Sequence, residues 1–413
     1  MGAMASLHRR SALTRGLVLV VPLALAASAA SFGGCSNLIN GGLGSDGGGT
    51  GPEDGSPLGT EDAPVILLTD SAASVDAGPP DAGDCTAENA TLGAPQDLQC
   101  TGLYSDFATK TIATGVVAYD PGLTLWADGA TVARYILLPS GQKIDTTDMN
   151  EWTFPVGTKV WQEFTLSGTR VETRWYWKRG TGDWVRGPYV WSADGASYAQ
   201  YTTTGVLNVG GSSYDVPPVA DCDTCHVGRI DQLLGVEAVS LAQASASGVT
   251  IATLTAGAQL TVVPPAGSLV IPDDGTGLAA PALAWLHSNC GTSCHSASPA
   301  ANAASTGLLL RLDVSQGDAG LSLGDVYDTN TYVTSVNITP QLDPFDGEGW
   351  HRITPNDTFD GGIGTSLVPF CAGSRGVASV SMPPIDTAVP DITDLNALKA
   401  WISRGTFPPG TYP

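Results

Sequence analysis

Basic side chains are scarce in this chain: 18 Lys and Arg stand against 40 Asp and Glu in 413 residues, a net charge of −22. With no basic stripe to neutralise phosphates, nucleic acid is excluded as a partner. The acidic surface favours instead a basic or neutral protein partner and aids solubility. Long apolar runs are nearly absent as well. Only residues 16–30 form one, too short for a comfortable membrane span. No Ser-His-Asp set or paired carboxylates stand out to suggest hydrolysis. Methionine and histidine are few: beyond residue 34 the chain holds Met149 and Met382, and His226, His287, His295 and His351.

What is present begins with an export signal. The apolar run follows His8-Arg9-Arg10 and Arg15, the layout of a signal peptide over residues 1–34. Phe32-Gly33-Gly34-Cys35 resembles a bacterial lipobox, with Phe32 where Leu is usual. It predicts acylation of Cys35 and a place in the cell envelope, in the periplasm or at the outer membrane, held to the membrane by an N-terminal lipid. The alternative is ordinary cleavage that leaves Cys35 an incidental thiol. Residues 35–84 read as a tether: positions 36–84 carry nine acidic residues, no Lys or Arg, and much Gly, Ser and Pro. Such a segment cannot bury enough apolar surface to offset its chain entropy.

Order is expected from Cys85. Eight cysteines in an oxidising compartment suggest disulfides, and Cys85 with Cys100 is the best pair. Residues 85–220 read as β-rich and sandwich-like. Val171, Thr173, Trp175 and Trp177 share one strand face while charged residues mostly take the other, and a Gly-containing turn over 179–183 leads into a second strand, 184–191. Seven of the ten Trp lie between positions 126 and 191, which points to core and cross-strand packing ahead of a sugar-binding face. In residues 221–413, two helices are legible among long loops. One runs from Pro281 to Asn289. The other spans Asp391 to Arg404, with Leu395, Leu398, Trp401 and Ile402 on one stripe and Asp391 or Thr393 as cap. Residues 296–350 show no assignable pattern.

The cysteines that carry chemistry are Cys222-Asp223-Thr224-Cys225-His226. Two thiols one turn apart suit thioether bonds to the two vinyl groups of one porphyrin, and the adjacent imidazole suits an axial bond to iron. A disulfide, a redox dithiol or half a zinc site are the alternatives. Cys290-Gly291-Thr292-Ser293-Cys294-His295 has one residue too many for the usual motif, and Gly291 would let the loop bulge to keep both sulfurs near the ring. Otherwise Cys290 pairs with Cys371 or Cys294. Ser381-Met382-Pro383-Pro384 puts a thioether on a stiff loop, so His295 with Met382 is the preferred axial pair of a second haem. The alternative for Met382 is core packing. For the first haem the far position falls to His287, His351, Met149 or an open site.

With these motifs the chain resembles the dihaem c-type cytochrome-like lipoproteins of bacterial envelopes. The resemblance rests on Leu125 to Ala130, Trp152 to Thr158, Arg170 to Arg174, the two Cys/His motifs, the Leu286 to Cys290 element, the Met382-Pro383-Pro384 loop and Leu398 to Ile402, and covers roughly residues 100–413. It implies an α+β chain: an N-terminal β-sandwich-like domain, then a mainly α, cytochrome c-like domain over 221–413. It also implies one or two haem c groups held by Cys222, Cys225, His226, Cys290, Cys294, His295 and Met382, and electron transfer with a redox partner protein. An enzyme, a peroxidase-like haem oxidoreductase, is one alternative. A haem-free, disulfide-rich ligand-binding surface lipoprotein is the other.

Overall fold

Residues 169–191 alternate bulky and charged side chains, and a period of two gives a strand two chemically different faces. The computed structural model describes residues 85, 93–123, 125–317, 320–341, 349–359, 364–377 and 380–408. The expected signal peptide, Cys35 and the tether lie outside the described residues. A small ribbon comes first, β1 (Tyr104–Asp106) against β2 (Thr111–Ile112). Six strands then form an antiparallel meander: β3 (Val117–Tyr119), β4 (Thr131–Leu137), β5 (Lys159–Leu166), β6 (Thr169–Gly180), β7 (Asp183–Trp191) and β8 (Ala199–Tyr201). The expected hairpin is β6–β7, closed by Thr181-Gly182 with Gly182 at φ +66°. Cys85 and Cys100 are disulfide-bonded, as their spacing suggested.

Three of the four side chains expected on one face of β6, Thr173, Trp175 and Trp177, pack together there, whereas Val171, where the register with β5 shifts, joins Phe164 and Tyr214 in another cluster. Trp175 lies beside Trp161 and Tyr189 in a cluster with Leu98, Leu103 and Trp191, all at most 4 % exposed. Packing, rather than a sugar-binding face, accounts for these aromatics. The other face of β6 is also buried. Glu172 is 0 % and Lys178 2 % exposed, and Tyr176 joins the main apolar cluster. The chain is therefore mixed α+β, but the strands do not stack as a sandwich. Among the described residues they make one six-stranded sheet and two two-stranded ribbons, the second ribbon being β9 (Ser315–Gly317) with β10 (Gly320–Ser322). The second face of the sheet is covered by the half that carries the Cys/His motifs. Alternation tells which side chains share a face and not what covers that face.

That covering half is built from short helices: α1 (Val219–His226), α2 (Ala238–Leu241), α3 (Ile251–Ala256), α4 (Ala279–Leu286), α5 (Asn330–Ser335), α6 (Leu367–Gly373) and α7 (Ile392–Arg404). The C-terminal helix keeps its predicted stripe, with Leu395, Leu398, Trp401 and Ile402 at most 4 % exposed. Asp391, one of the two expected caps, accepts a hydrogen bond from the Asp394 N–H, and Trp285 of α4 donates to its other oxygen at 3.1 Å. One apolar cluster runs from Ile136, Val160 and Tyr176 of the sheet to Leu283, Leu286, Leu398 and Trp401 of the helices. No described helix is long and apolar enough to cross a membrane.

A buried ion pair pins the segment after α1 to the sheet. Lys178 Nζ lies 2.6 Å from both oxygens of Asp231, whose side chain also accepts from the Phe154 N–H and from Trp184 Nε1. Removing one member leaves the other charged and without compensation in a dry site. Asp231→Ala should therefore cost about 3–5 kcal/mol of unfolding free energy in urea titration, whereas Lys178→Met with Asp231→Leu together should cost far less. Equal losses in the two variants would show that the pair is not the source of the stability.

Candidate functional site

Each Cys/His motif is one helical turn, and the two turns differ in pitch. In α1 the spacing from Cys222 to His226 is four residues, one α-helical turn. In the second motif α4 widens into a π-helical turn over His287–Gly291. The Thr292 N–H there reaches back to the His287 carbonyl (2.9 Å) and the His295 N–H to the Cys290 carbonyl (2.9 Å), both five residues away. The extra residue is thus absorbed by a wider turn, and His295 stands one turn from Cys290 as His226 does from Cys222. Gly291 is needed here for close packing more than for bulging: a β-carbon on it would sit 2.5 Å from the Leu310 carbonyl oxygen. Gly228, just beyond the first motif, lies against the Ser293 carbonyl of the second, where a β-carbon would fall 1.7 Å from that oxygen. The backbones of the two motifs touch. Asn302 Nδ2 ties the loop after the second motif to the Thr224 carbonyl of the first.

Both motifs open onto one cavity of about 220 Å³ between the sheet and the helices. Cys222, Cys225, His226, Cys290, Cys294, His295 and Met382 all line it, so the four expected attachment thiols, the two motif histidines and the preferred partner of His295 are brought to one place. The sheet contributes Arg134, Gln162, Arg174 and Tyr176 to the wall. Two stretches singled out in the sequence, Leu125 to Ala130 and Leu286 to Cys290, lace the rim with the loop that follows Met382. The Trp126 N–H donates to Asn289 Oδ1 (2.7 Å) and its indole to the Val389 carbonyl (2.7 Å), while Asp128 accepts from the Ala388 and Val389 N–H groups. The loop after Met382 is thereby held to the segment before β4.

The two histidines are oriented alike. His226 Nδ1 lies 2.5 Å from the Gln232 carbonyl and His295 Nδ1 3.3 Å from the Leu308 carbonyl. A carbonyl only accepts, so Nδ1 carries the proton in both rings and Nε2 the lone pair. Burial pushes each imidazole down to about 4, so both are neutral at physiological pH. The Tyr176 hydroxyl lies 2.8 Å from His226 Nε2, and the Cys222 sulfur hydrogen-bonds the same hydroxyl. The four thiols of the motifs are unbridged, and Cys225 hydrogen-bonds Cys294 across the gap. That bond brings Cys294 down to about 7 and sends Cys225 up, while burial lifts Cys290 to about 12. Among the described residues no three His, Cys, Asp or Glu side chains converge to hold a single metal ion.

The other candidate ligands lie elsewhere. Met149 is packed in the main core. His287 is fully buried, 3.4 Å from Glu237, and its Nδ1 accepts from the Leu312 N–H at 3.0 Å. His351 forms a bridge with Ser366 off the cavity wall. Cys371 is buried with Trp350 and Leu367 in a separate cluster that Met382 flanks, so it does not pair with Cys290. Sequence reading missed Arg134, Gln162 and Tyr176. Only the register of three strands brings them to the cavity.

Glu237 supports the second motif from behind, accepting from the Val239 and Ser240 N–H groups as well as facing His287. Burial alone would raise its pKa, but His287 and these donors outweigh burial and hold the carboxyl well below its ordinary 4.5. A depressed carboxylate contributes stability that is complete above its unfolded-state pKa and is lost as pH falls through the window beneath it. Unfolding free energy should fall as pH drops from about 5 to about 3, and Glu237→Gln should flatten that fall. Superimposable pH profiles for the two proteins would remove Glu237 as the cause. Comparison of the chain with protein-family models, with curated proteins and with solved structures finds no match.

Proposed function

We propose that this is an extracytoplasmic, lipid-anchored c-type cytochrome-like protein that transfers electrons through one or two covalently bound haems. The observation that carries the reading is the matched pair of half-sites on one cavity, each with two thiols and an imidazole fixed by its Nδ1 to a backbone carbonyl. An Nδ1–H anchored to a carbonyl is how proteins orient a metal-ligating histidine, since it fixes the tautomer and raises the basicity of Nε2. When bound, haem supplies one-electron chemistry, its iron cycling between two oxidation states.

The chain's own residues supply the rest. Cys222 and Cys225, and Cys290 and Cys294, would hold the porphyrins; His226 and His295 would each give Nε2 to iron. Met382 is the only methionine lining the cavity among the described residues and would offer its thioether to an iron, a ligand that favours a high reduction potential. The walls stand close, at about 220 Å³ against the roughly 300–1,000 Å³ usual for ligand pockets. Loading therefore requires the sheet and helices to part and Tyr176 to release His226 Nε2.

Mass spectrometry of mature protein, with a pyridine haemochrome spectrum, tests this directly. One or two haem increments are expected, on peptides containing residues 222–226 and 290–295. A colourless protein with Cys225 disulfide-bonded to Cys294 would establish the haem-free alternative, which the contact between those two thiols favours. In the haem-loaded protein, Met382→Ala should lower the reduction potential and abolish the weak far-red Met-to-iron band. An unchanged spectrum would rule out that ligation.

A second reading follows from counting donors. Two irons have four axial positions, and among the described residues only His226, His295 and Met382 offer imidazole or thioether to the cavity. If both haems are bound, one iron keeps an open face, as a peroxidase-like oxidoreductase needs. Carbon monoxide binding by the reduced wild-type protein would mark that open position.

A further inference from the structure

Arg134 is a buried cation with no ion-pair partner among the described residues. It is 7 % exposed, its Nε has no hydrogen-bond partner among the described residues, and its Nη1 reaches the Val132 carbonyl only at 3.5 Å. No acidic side chain among the described residues forms an ion pair with it. A guanidinium cannot shed its proton, and holding one in a dry site without an anion is costly, so such a group is retained where something compensates it.

Strand register shows where the missing anion belongs. Arg134 stands opposite Gln162 on β5, and Gln162 opposite Arg174 on β6. The three form a row across adjacent strands on the cavity face, and all three line the cavity. Arg174 differs from Arg134 in already having a partner: its Nε lies 2.7 Å from Glu172, which also accepts from the Tyr214 hydroxyl. Burial works against the charge of Arg174, but Glu172 and Tyr214 outweigh it and keep the guanidinium firmly protonated. The row thus offers one compensated cation, an amide, and one cation still without an anion. Beside the loop of Met382, Arg375 also faces the cavity, with Nη1 on three backbone carbonyls and Nε without a partner.

We infer that Arg134, with Gln162 and Arg174 beside it, is the carboxylate-binding subsite of this cavity, and that it takes a propionate of the porphyrin. A planar carboxylate matches the guanidinium fork, and a neighbouring amide donor completes its coordination. The identity of the carboxylate rests on the haem reading above. The subsite itself does not, because a small free carboxylate presents the same group.

The test separates the two. Full-length protein made in a host that lacks haem-attachment machinery is titrated with iron protoporphyrin and with its dimethyl ester, which lacks the charges. Wild type should prefer the diacid by about tenfold to a hundredfold, the range of a charge-assisted hydrogen bond. Arg134→Met should bring the ratio close to one, and Arg134→Lys should retain part of it. Arg134→Met should also leave the ligand-free protein as stable as wild type or more so, since it removes a buried charge without compensation. A merely structural arginine would instead lose stability and leave the ratio alone. If neither porphyrin binds but succinate raises the thermal midpoint of wild type and not of Arg134→Met, the subsite stands with a free carboxylate as its ligand. Equal affinity for diacid and diester in a protein that does bind haem overturns the subsite and leaves the haem reading intact. No response to porphyrin or succinate overturns the subsite outright.

Discussion

Everything in this molecule is arranged around a strand that is buried on both sides. β6 cannot place two neighbouring side chains on the same face, so each of its faces must meet its own environment. Its odd-numbered residues from Thr173 to Trp177 face the aromatic cluster. Its even-numbered residues from Glu172 to Lys178 would face water in a sheet covered on one side only. Here they face the Cys/His half, and each buried charge has needed a partner. Glu172 has Arg174 and Tyr214, and Lys178 has Asp231. These pairings do more to fix position than to add stability, since buried ion pairs rarely exceed the cost of desolvating them. Their effect is to set one half of the chain at a defined register on the other, which is what leaves a cavity where a closed core would otherwise form.

The two motifs show how backbone geometry keeps a chemical relation constant through a change in spacing. A histidine one turn from a cysteine lies on the same side of the helix, whether the turn holds four residues or five. The π-helical turn at His287–Gly291 converts the longer spacing of the second motif into the same placement as the first. The widening has a local cause. Gly291 presses on the chain at Leu310, and His287 is held by Glu237 and the Leu312 N–H, so the helix is anchored on both sides of the extra residue. Gly228 against Ser293 then fixes the distance between the motifs by contact of backbones, the least deformable kind of spacer.

Much of this was legible in the sequence where the signal was local. The amphipathic stripe of α7, the β6–β7 hairpin, the Cys85–Cys100 bridge and the gathering of cysteines, histidines and Met382 all follow from periodicity, turn chemistry or motif spacing. The sandwich did not, because alternating residues define a face without saying whether a sheet or helices will cover it. Met149, His287 and His351 were reasonable ligand candidates by residue type alone. What removes them from the cavity is contacts made by residues distant in sequence, such as Glu237 and Leu312 for His287. Arg134 was invisible for a related reason. An arginine in a strand ordinarily marks the solvated face, and nothing near it in sequence reveals that Gln162 and Arg174 will line up beside it.

The distribution of charge sharpens that last point. A chain of net charge −22 has few cations to spend, and most long cationic side chains reach for water. This one nevertheless turns Arg134, Arg174 and Arg375 toward a cavity that Asp128, Asp221, Asp386 and Asp391 also line. Glu172 pairs with Arg174 and Asp128 favours the charge of Arg375, whereas Arg134 forms no ion pair with an acidic side chain among the described residues. An acidic exterior repels anions at long range, so those interior cations serve no purpose in attracting small anions from solution. On the proposed reading Arg134 acts at short range, on an anion that arrives by another means. A ligand delivered and fixed by covalent bonds needs no electrostatic guidance on the way in, yet it still has charged groups that must be neutralised once the walls close over it. On the proposed reading, Arg134 is the cation left for one carboxylate of such a ligand, since Arg174 already has Glu172.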